Sequence, residues 1–408
     1  MDEGIGSGIG QRLREIRLWR GLSLRAAAGL AGFSASYLSM IENGISPVDK
    51  RSTLEAFASA LRVTPSELAS EPFGSQFADP DVGAAQATLV DVEAALSDVR
   101  FGEAAVTPRP WPAVAADLRL LNDVHRPAAD YAAQGGVLPG LLLELQALVS
   151  DPQAPRAEVL AGLMDCYQTA AFQTKNLGAR GLPALAAWHG RRVAEELDDP
   201  AWLGLAAWLR ASSLGGGSRD RMRVLSIQGA HELESHLSDP RVRQMYGALH
   251  LNAALASAAL RQPDAAADHL DEADQIAQSL GPPTPARGFG ALYFGPDNVG
   301  IWRLAIAVEL GDPGKAQELA RDLVPQRIPS AGRQAMYWAD LGRGLASLRA
   351  TRDDAVTALL RAEELAPQRI RTYPLIRETV TDLLRHVRRD DAVGRELRGL
   401  AFRMGIAG

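Results

Sequence analysis

Side chains able to hold a phosphodiester backbone or touch a base edge are concentrated between positions 25 and 51 of this 408-residue chain. Arg25, Lys50 and Arg51 supply positive charge for phosphate oxygens, Asn43 and Ser46 supply neutral partners beside them, and the Tyr37 hydroxyl is placed to reach a phosphate. Ser34, Ala35, Ser36, Ser39 and Met40 fall between them, at spacings that set them along or beside the outer face of one short helix. A serine hydroxyl there can meet a base edge, and the Met40 thioether a thymine methyl. None of these five is Arg, Lys, Asn or Gln, the side chains that make bidentate contacts to guanine or adenine. Base reading is therefore expected to be thin, with part of any specificity coming from DNA shape.

Other chemistry is poorly supported. His231 and His236, with Glu232 beside the first, superficially suggest a zinc helix, but five residues turn a helix by about 500°, so the imidazoles diverge by roughly 140°. GIGSGIG at 4–10 has no strand before it to make a dinucleotide loop, and Gly215–Gly217 reads as a turn between helices. The acidic pairs Asp198-Asp199, Glu363-Glu364 and Asp390-Asp391 sit near expected helix ends, where such pairs are solvated. Cys166, the sole cysteine, is expected to be buried in a helix; it cannot form an intramolecular disulfide, which suits a reducing cytoplasm. With no nucleophile paired to a base, the chain is expected to be no enzyme and to carry neither cofactor nor metal.

The elements that must position residues 25–51 are legible. Ile9, Leu13 and Ile16 lie on one apolar face of a first helix that Gly21 ends, and Ser23 caps the next. Ala28 is small where a following helix must press, Gly32 permits the chain to reverse, and Ser34 caps that helix, whose Leu38 and Ile41 turn inward. Asn43-Gly44 makes a turn, and helices over 52–61 and 65–68 complete a five-helix unit.

This run resembles the lambda-repressor/Cro-like domain of the XRE family. Leu22-Ser23, Ala28, Gly32, Ser34, Leu38-Ser39, Ile41-Glu42 and Gly44 reproduce its pattern over about 60 residues. The resemblance implies a helix-turn-helix whose second helix, the recognition helix, enters a major groove. It also implies that Arg17 and Glu42 form a salt bridge rather than contact DNA. Leu24 stands where the family usually has a phosphate-binding Gln.

Net charge is −6 for the chain, while residues 1–62 hold eight Lys or Arg against six Asp or Glu, so the remainder carries −8. An acidic partner domain that does not itself grip DNA is expected. Lys occurs three times against 40 Arg, a bias expected of a GC-rich bacterial genome. No apolar stretch approaches the ~18 residues of a membrane span, and no secretory leader is read, so a cytoplasmic protein with no membrane partner is expected.

From about residue 113 the periodicity is helical throughout. Trp338, Leu341, Gly342, Leu345, Ala355, Leu359, Ala362 and Pro367 resemble the tetratricopeptide consensus with one extra residue in the turn, and Gly342 and Ala355 are expected to let two helices approach. Helix pairs are expected at 157–176 with 179–197, 200–213 with 219–237, 240–261 with 263–280, 297–310 with 313–324, and 331–349 with 352–366. One or two capping helices follow. Ala267 and Ala316 occupy like positions but lie 49 residues apart against a period of about 34. Some 15 residues, Gly281–Pro296, are thus inserted, and their Phe289, Tyr293 and Phe294 point to packing over a concave face, at a dimer contact, or in the core.

The reading is an all-α protein: a five-helix lambda-repressor-like domain at 1–71, a linker with one helix at about 84–99 and a hinge over 72–112, and a tetratricopeptide-like α-solenoid at 113–408. The resemblance implies a transcription regulator binding a double-stranded DNA operator as a homodimer. The array would respond to a peptide or small-molecule effector, as in peptide-pheromone regulators, through Tyr246, Asn252, Asn298 and Arg343. The alternatives are a DNA-tethered adaptor for a partner protein and a ligand-free repressor whose repeats only dimerise.

Overall fold

A computed structural model describes residues 8–69, 79–98, 106–214, 219–284, 286–387 and 391–406, and these are all-α with no strand among them. The expected turn at 215–217, most of the 4–10 glycine run and the 72–78 and 99–105 parts of the expected linker lie outside the described residues. The first five helices are α1 (Ile9–Trp19), α2 (Leu24–Leu30), α3 (Ala35–Glu42), α4 (Arg51–Ala60) and α5 (Pro65–Ala69). They close on a core that includes Leu13, Ile16, Ala28, Leu38, Ile41 and Phe57.

Over 79–98 stand two helices, α6 (Pro80–Ala87) and α7 (Leu89–Ser97), broken at Thr88. Both pack against α10 (Tyr131–Leu148), and Val92, Ala95 and Leu96 enter the main core. Between them and α10 run α8 (Trp111–Leu120), a π-helical turn over Leu121–His125, and the short α9 (Arg126–Ala128).

Five antiparallel pairs follow: α11 (Arg156–Asn176) with α12 (Leu182–Leu197), α13 (Pro200–Ser212) with α14 (Arg219–Leu233), α15 (Pro240–Ala259) with α16 (Pro263–Leu280), α17 (Pro296–Leu310) with α18 (Pro313–Asp322), and α19 (Ala331–Ala346) with α20 (Arg352–Leu365). The short α21 (Pro367–Arg371), α22 (Pro374–His386) and α23 (Ala392–Arg403) complete the chain. Boundaries fall where aspartate caps precede proline. Asp199 and Asp239 accept hydrogen bonds from Ala201 and Arg241, and Pro200 and Pro240 open the helices at a position that needs no N–H. Small residues set the approach of neighbours: a Cβ on Gly342 would lie 2.9 Å from Leu359 Cγ and 3.3 Å from the Ala355 carbonyl.

The array bends until its ends meet. The Gln368 side chain accepts from the amides of Tyr131 (2.6 Å) and Ala132 (3.2 Å), Arg371 pairs with Asp79 at 2.6 Å, and the Thr372 hydroxyl donates to the Asn176 carbonyl at 3.1 Å. Helices after α20 therefore close a ring on α6, α10 and α11. Glu363, expected to be solvated, is instead buried; Arg403 (2.6 Å) and Arg371 (2.8 Å) compensate its charge, because this closure brings both to one point. Asp391 caps α23, whereas Asp390 lies outside the described residues.

The 281–296 segment turns inward. Phe294 is 2% exposed and lies against Gly247, where an added Cβ would stand 2.0 Å from the ring. Phe289 meets Trp202 edge-on at 4.8 Å between centroids, and the Gly290 carbonyl accepts from Gln168 at 2.7 Å.

Candidate nucleic-acid interface and the cavity behind it

The motif is built as its spacing requires. Ser23 and Ser34 cap α2 and α3, each accepting an amide hydrogen bond at 3.1 Å, from Ala26 and Tyr37. Gly32 takes φ +76° in the turn between them, a conformation costly for any residue with a Cβ. Arg17 grips Glu42 with two hydrogen bonds of 2.5 and 2.7 Å, tying α1 to the end of α3 away from solvent. That bond raises the guanidinium above its ordinary value, against the effect of burial. Gly10 does related work: a Cβ there would fall 2.1 Å from the Ile41 carbonyl.

With α3 so braced, Ser36, Met40 and Asn43 stand exposed on its outer side, Ala35 and Ser39 are half-buried, and Ser34 and Arg25 are exposed nearby. Asn43 donates to the Ser39 carbonyl at 2.8 Å, so its amide is partly committed to closing the helix. Tyr37 and Ser46 are half-buried. Burial and Asp49 raise the Tyr37 phenol above its ordinary range, against hydrogen bonding to Thr53 and Ser46. The outer face of α3 therefore presents hydroxyls and a thioether.

The loop after α3, with the first residues of α4 and of α1, faces the array instead. The Gly44 carbonyl accepts from Arg385, the Asp49 carbonyl from Arg343, and the Ile9 amide donates to Glu378 at 2.8 Å. The carboxylate of Glu309, 2% exposed, receives the amides of Ser52 (2.9 Å) and Arg51 (3.3 Å) at the start of α4. An anion on the first amides of a helix is the arrangement a phosphate would adopt there. Arg51 lies 3.5 Å from Glu309 and 3.8 Å from Asp340 and donates to the Tyr373 hydroxyl at 2.6 Å. Burial alone would raise the Glu309 carboxyl; Arg51, Arg343 and the Ser52 amide outweigh it and hold the group below its usual range. Lys50 stands close to Gly311, and Arg261 lies 4.5 Å over the Phe33 ring. Sequence reasoning identified Lys50 and Arg51 by type, but nothing in the local sequence announces a carboxylate 258 positions away.

Inside the ring, behind α4, is a cavity of about 450 Å³. Of the four residues expected to meet an effector, Asn252 and Asn298 line it. Asn252 donates to the Ser212 hydroxyl at 2.8 Å; Asn298 donates to the Leu292 carbonyl at 2.9 Å, and its side-chain oxygen has no partner among the described residues. Arg343 belongs to the ion cluster with Asp340, at 2.7 Å, and Tyr246 packs against His250. Arg126, which the sequence reading passed over, lines the cavity from the start of α9, just after the π-helical turn, and donates to Asn122 (2.8 Å) and Gln168 (2.9 Å). Aromatic walls come from Phe172, Trp208, Phe294 and Trp302.

Elsewhere, His231 and His236 are exposed and separated by the end of α14, and Cys166 is buried, which raises its thiol well above its ordinary range. The described residues hold no cluster of potential metal ligands, and none of their helices is long and apolar enough to cross a membrane.

Comparison with known proteins agrees with this geometry at one place. Residues 9–70 match a family model described as a helix-turn-helix domain. No curated protein and no solved structure matches the chain.

Proposed function

We propose that the chain is a sequence-specific transcription regulator that binds operator DNA through its helix-turn-helix domain, as a homodimer, and that the helical ring controls it. The observation that carries the DNA reading is α3: capped at Ser34, braced from behind by Arg17–Glu42, with Ser36, Met40 and Asn43 exposed on its outer side. Dimerism is inferred from the poverty of that surface, since one copy offers too few base contacts and two fix a half-site spacing. The phosphate anchors on this reading are Arg25, Asn43, Ser46, Lys50 and Arg51, with Tyr37 at the edge.

The docked arrangement is then the resting state. Glu309 occupies the amides that a phosphate would take, and Arg51 is turned into the ring by Glu309, Asp340 and Tyr373. Binding to DNA would require the domain to leave this seat, so whatever shifts the seat regulates the protein. The array is proposed to be of the tetratricopeptide kind and to hold an effector in its lumen. The test is a genome-wide footprint of the tagged protein followed by gel-shift titration on a recovered site. A reproducible site bound by two copies is expected; a footprint without enriched sequences would remove the DNA reading, and a single bound copy would remove the dimer.

A further inference from the structure

Three cations facing the cavity have no ion-pair partner among the described residues, although Glu55 and Asp340 line the same space. Arg333 rests 5.3 Å from the Trp302 ring centroid, and its Nε and Nη2 are sealed from solvent without a hydrogen-bond partner among the described residues. Among the described residues the Arg369 side chain donates only to the Gly332 carbonyl, at 3.3 Å, and Lys175 only to the Ser212 carbonyl, at 2.6 Å. No carboxylate among the described residues lies within ion-pairing distance of any of the three, whereas the nearby Arg219 and Arg51 are matched by Glu55, Glu309 and Asp340. Lys175 keeps an exposed side chain, and it is among the residues that line the cavity.

An unpaired guanidinium in a desolvated site is costly unless something compensates it. Arg369 also repels both Lys175 and Arg333, against the weaker pull of Glu55 on the first and Asp340 on the second. Burial, followed by the charges of Arg219, Arg369 and Arg51, brings the Lys175 ammonium down to about 7, and burial and Arg369 bring Arg333 down to about 10. Beside these cations the walls are aromatic, from Phe172, Trp208, Phe294 and Trp302. A cavity that joins a cationic corner to an apolar body has the shape of a ligand of the same two parts.

We propose that this cavity binds a small amphipathic organic anion, its acidic head held by Arg333, Arg369 and Lys175 and its apolar or aromatic body laid against Trp302, Trp208 and Phe172. Arg51 and Leu54 of α4 form part of the same wall, so occupancy is linked to the docking of the helix-turn-helix domain; this consequence, though not the binding itself, rests on the regulator reading.

Full-length protein is titrated, without DNA, with 1-anilinonaphthalene-8-sulfonate and with its uncharged counterpart N-phenyl-1-naphthylamine, following probe fluorescence and quenching of tryptophan. One saturable sulfonate site is expected, with the neutral probe bound about tenfold or more weakly. Arg333→Met and Lys175→Met should each weaken the sulfonate by about tenfold and leave the neutral probe unchanged. Ligand-free Arg333→Met should melt no lower than the parent, because removing an unpaired charge relieves the fold, whereas a structural arginine would be missed. If Arg333→Met does not fold, Lys175→Met carries the test. Equal affinity for the two probes, or sulfonate binding indifferent to both substitutions, would overturn the proposal. Because DNA takes no part, such a failure leaves the regulator reading intact. A failed footprint beside retained anion binding would remove that reading and keep the site.

Discussion

At Glu309 one carboxylate faces both the amides of Ser52 and Arg51 and the Arg51 side chain, so its charge is a main tie of α4 to the ring, beside Arg51–Tyr373 and Glu55–Arg219. Glu309→Gln keeps the shape and removes the charge, leaving Arg51 and Arg343 undercompensated. Breaking one partner of a buried ion pair costs about 3–5 kcal/mol, and here the loss falls on docking. Operator affinity in a gel shift should therefore rise by about tenfold or more, while an affinity equal to or below the parent's would show that the seat does not restrain the domain. Lys175 makes a second prediction at this scale. Its folded-state value of about 7 lies below the ordinary 10.5, so between those limits the unfolded chain holds the extra proton. Stability of the ligand-free protein should then increase with pH across that window. Urea midpoints at pH 7 and pH 9 check the sign, and Lys175→Met should flatten the slope.

At the scale of elements, α3 and the inserted segment 281–296 carry the predictions. Arg25 is exposed beside α3, and if it neutralises one phosphate, Arg25→Ala should reduce the salt slope of operator binding by about 0.9 per bound copy. Ser36→Ala should weaken the operator more than random DNA and leave that slope alone. Phe294→Ala empties the space against Gly247 and should cost about 3–5 kcal/mol in urea unfolding, which would mark the insertion as part of the core. A loss under about 1 kcal/mol would mark it as a surface loop. These elements were legible for different reasons. The five pairs from α11 to α20 follow from leucine and alanine periodicity together with Asp-Pro starts such as Asp199-Pro200, which are local signals. The α2–α3 motif follows from residue sizes between Leu22 and Gly44. The π-helical turn at Leu121–His125 and the orientation of Arg126 had no local signature, and the second helix over 80–87 was hidden by small residues that pattern weakly. The candidate site was half visible: Asn252 and Asn298 could be placed inward by register. Nothing in the local sequence marks Arg333, Arg369 and Lys175, which the ring brings to one cavity.

For the whole molecule, closure determines how stability is shared. Gln368 accepts two amides of α10 from across the ring, and each buried donor left unmet costs about 1–3 kcal/mol. Gln368→Ala should therefore lower hydrogen-exchange protection at 131–132 as well as at 367–371. A change confined to 367–371 would mean that the seam is not energetically joined. The domain that binds DNA on the proposed reading is seated by α14, α17, α19 and α22, drawn from separated parts of the array, so a small relaxation of the curve is felt at several of its contacts together.

That seam has a consequence for how such a chain can change over generations. In an open superhelix, duplicating or losing one helix pair merely alters its length, and neighbours elsewhere are undisturbed. Here the first and last turns must find each other, and Asp79 must meet Arg371. Gain or loss of a pair would move those partners by a full repeat. The number of pairs is thus fixed by geometry, and variation is confined to what fits inside a circle of constant size.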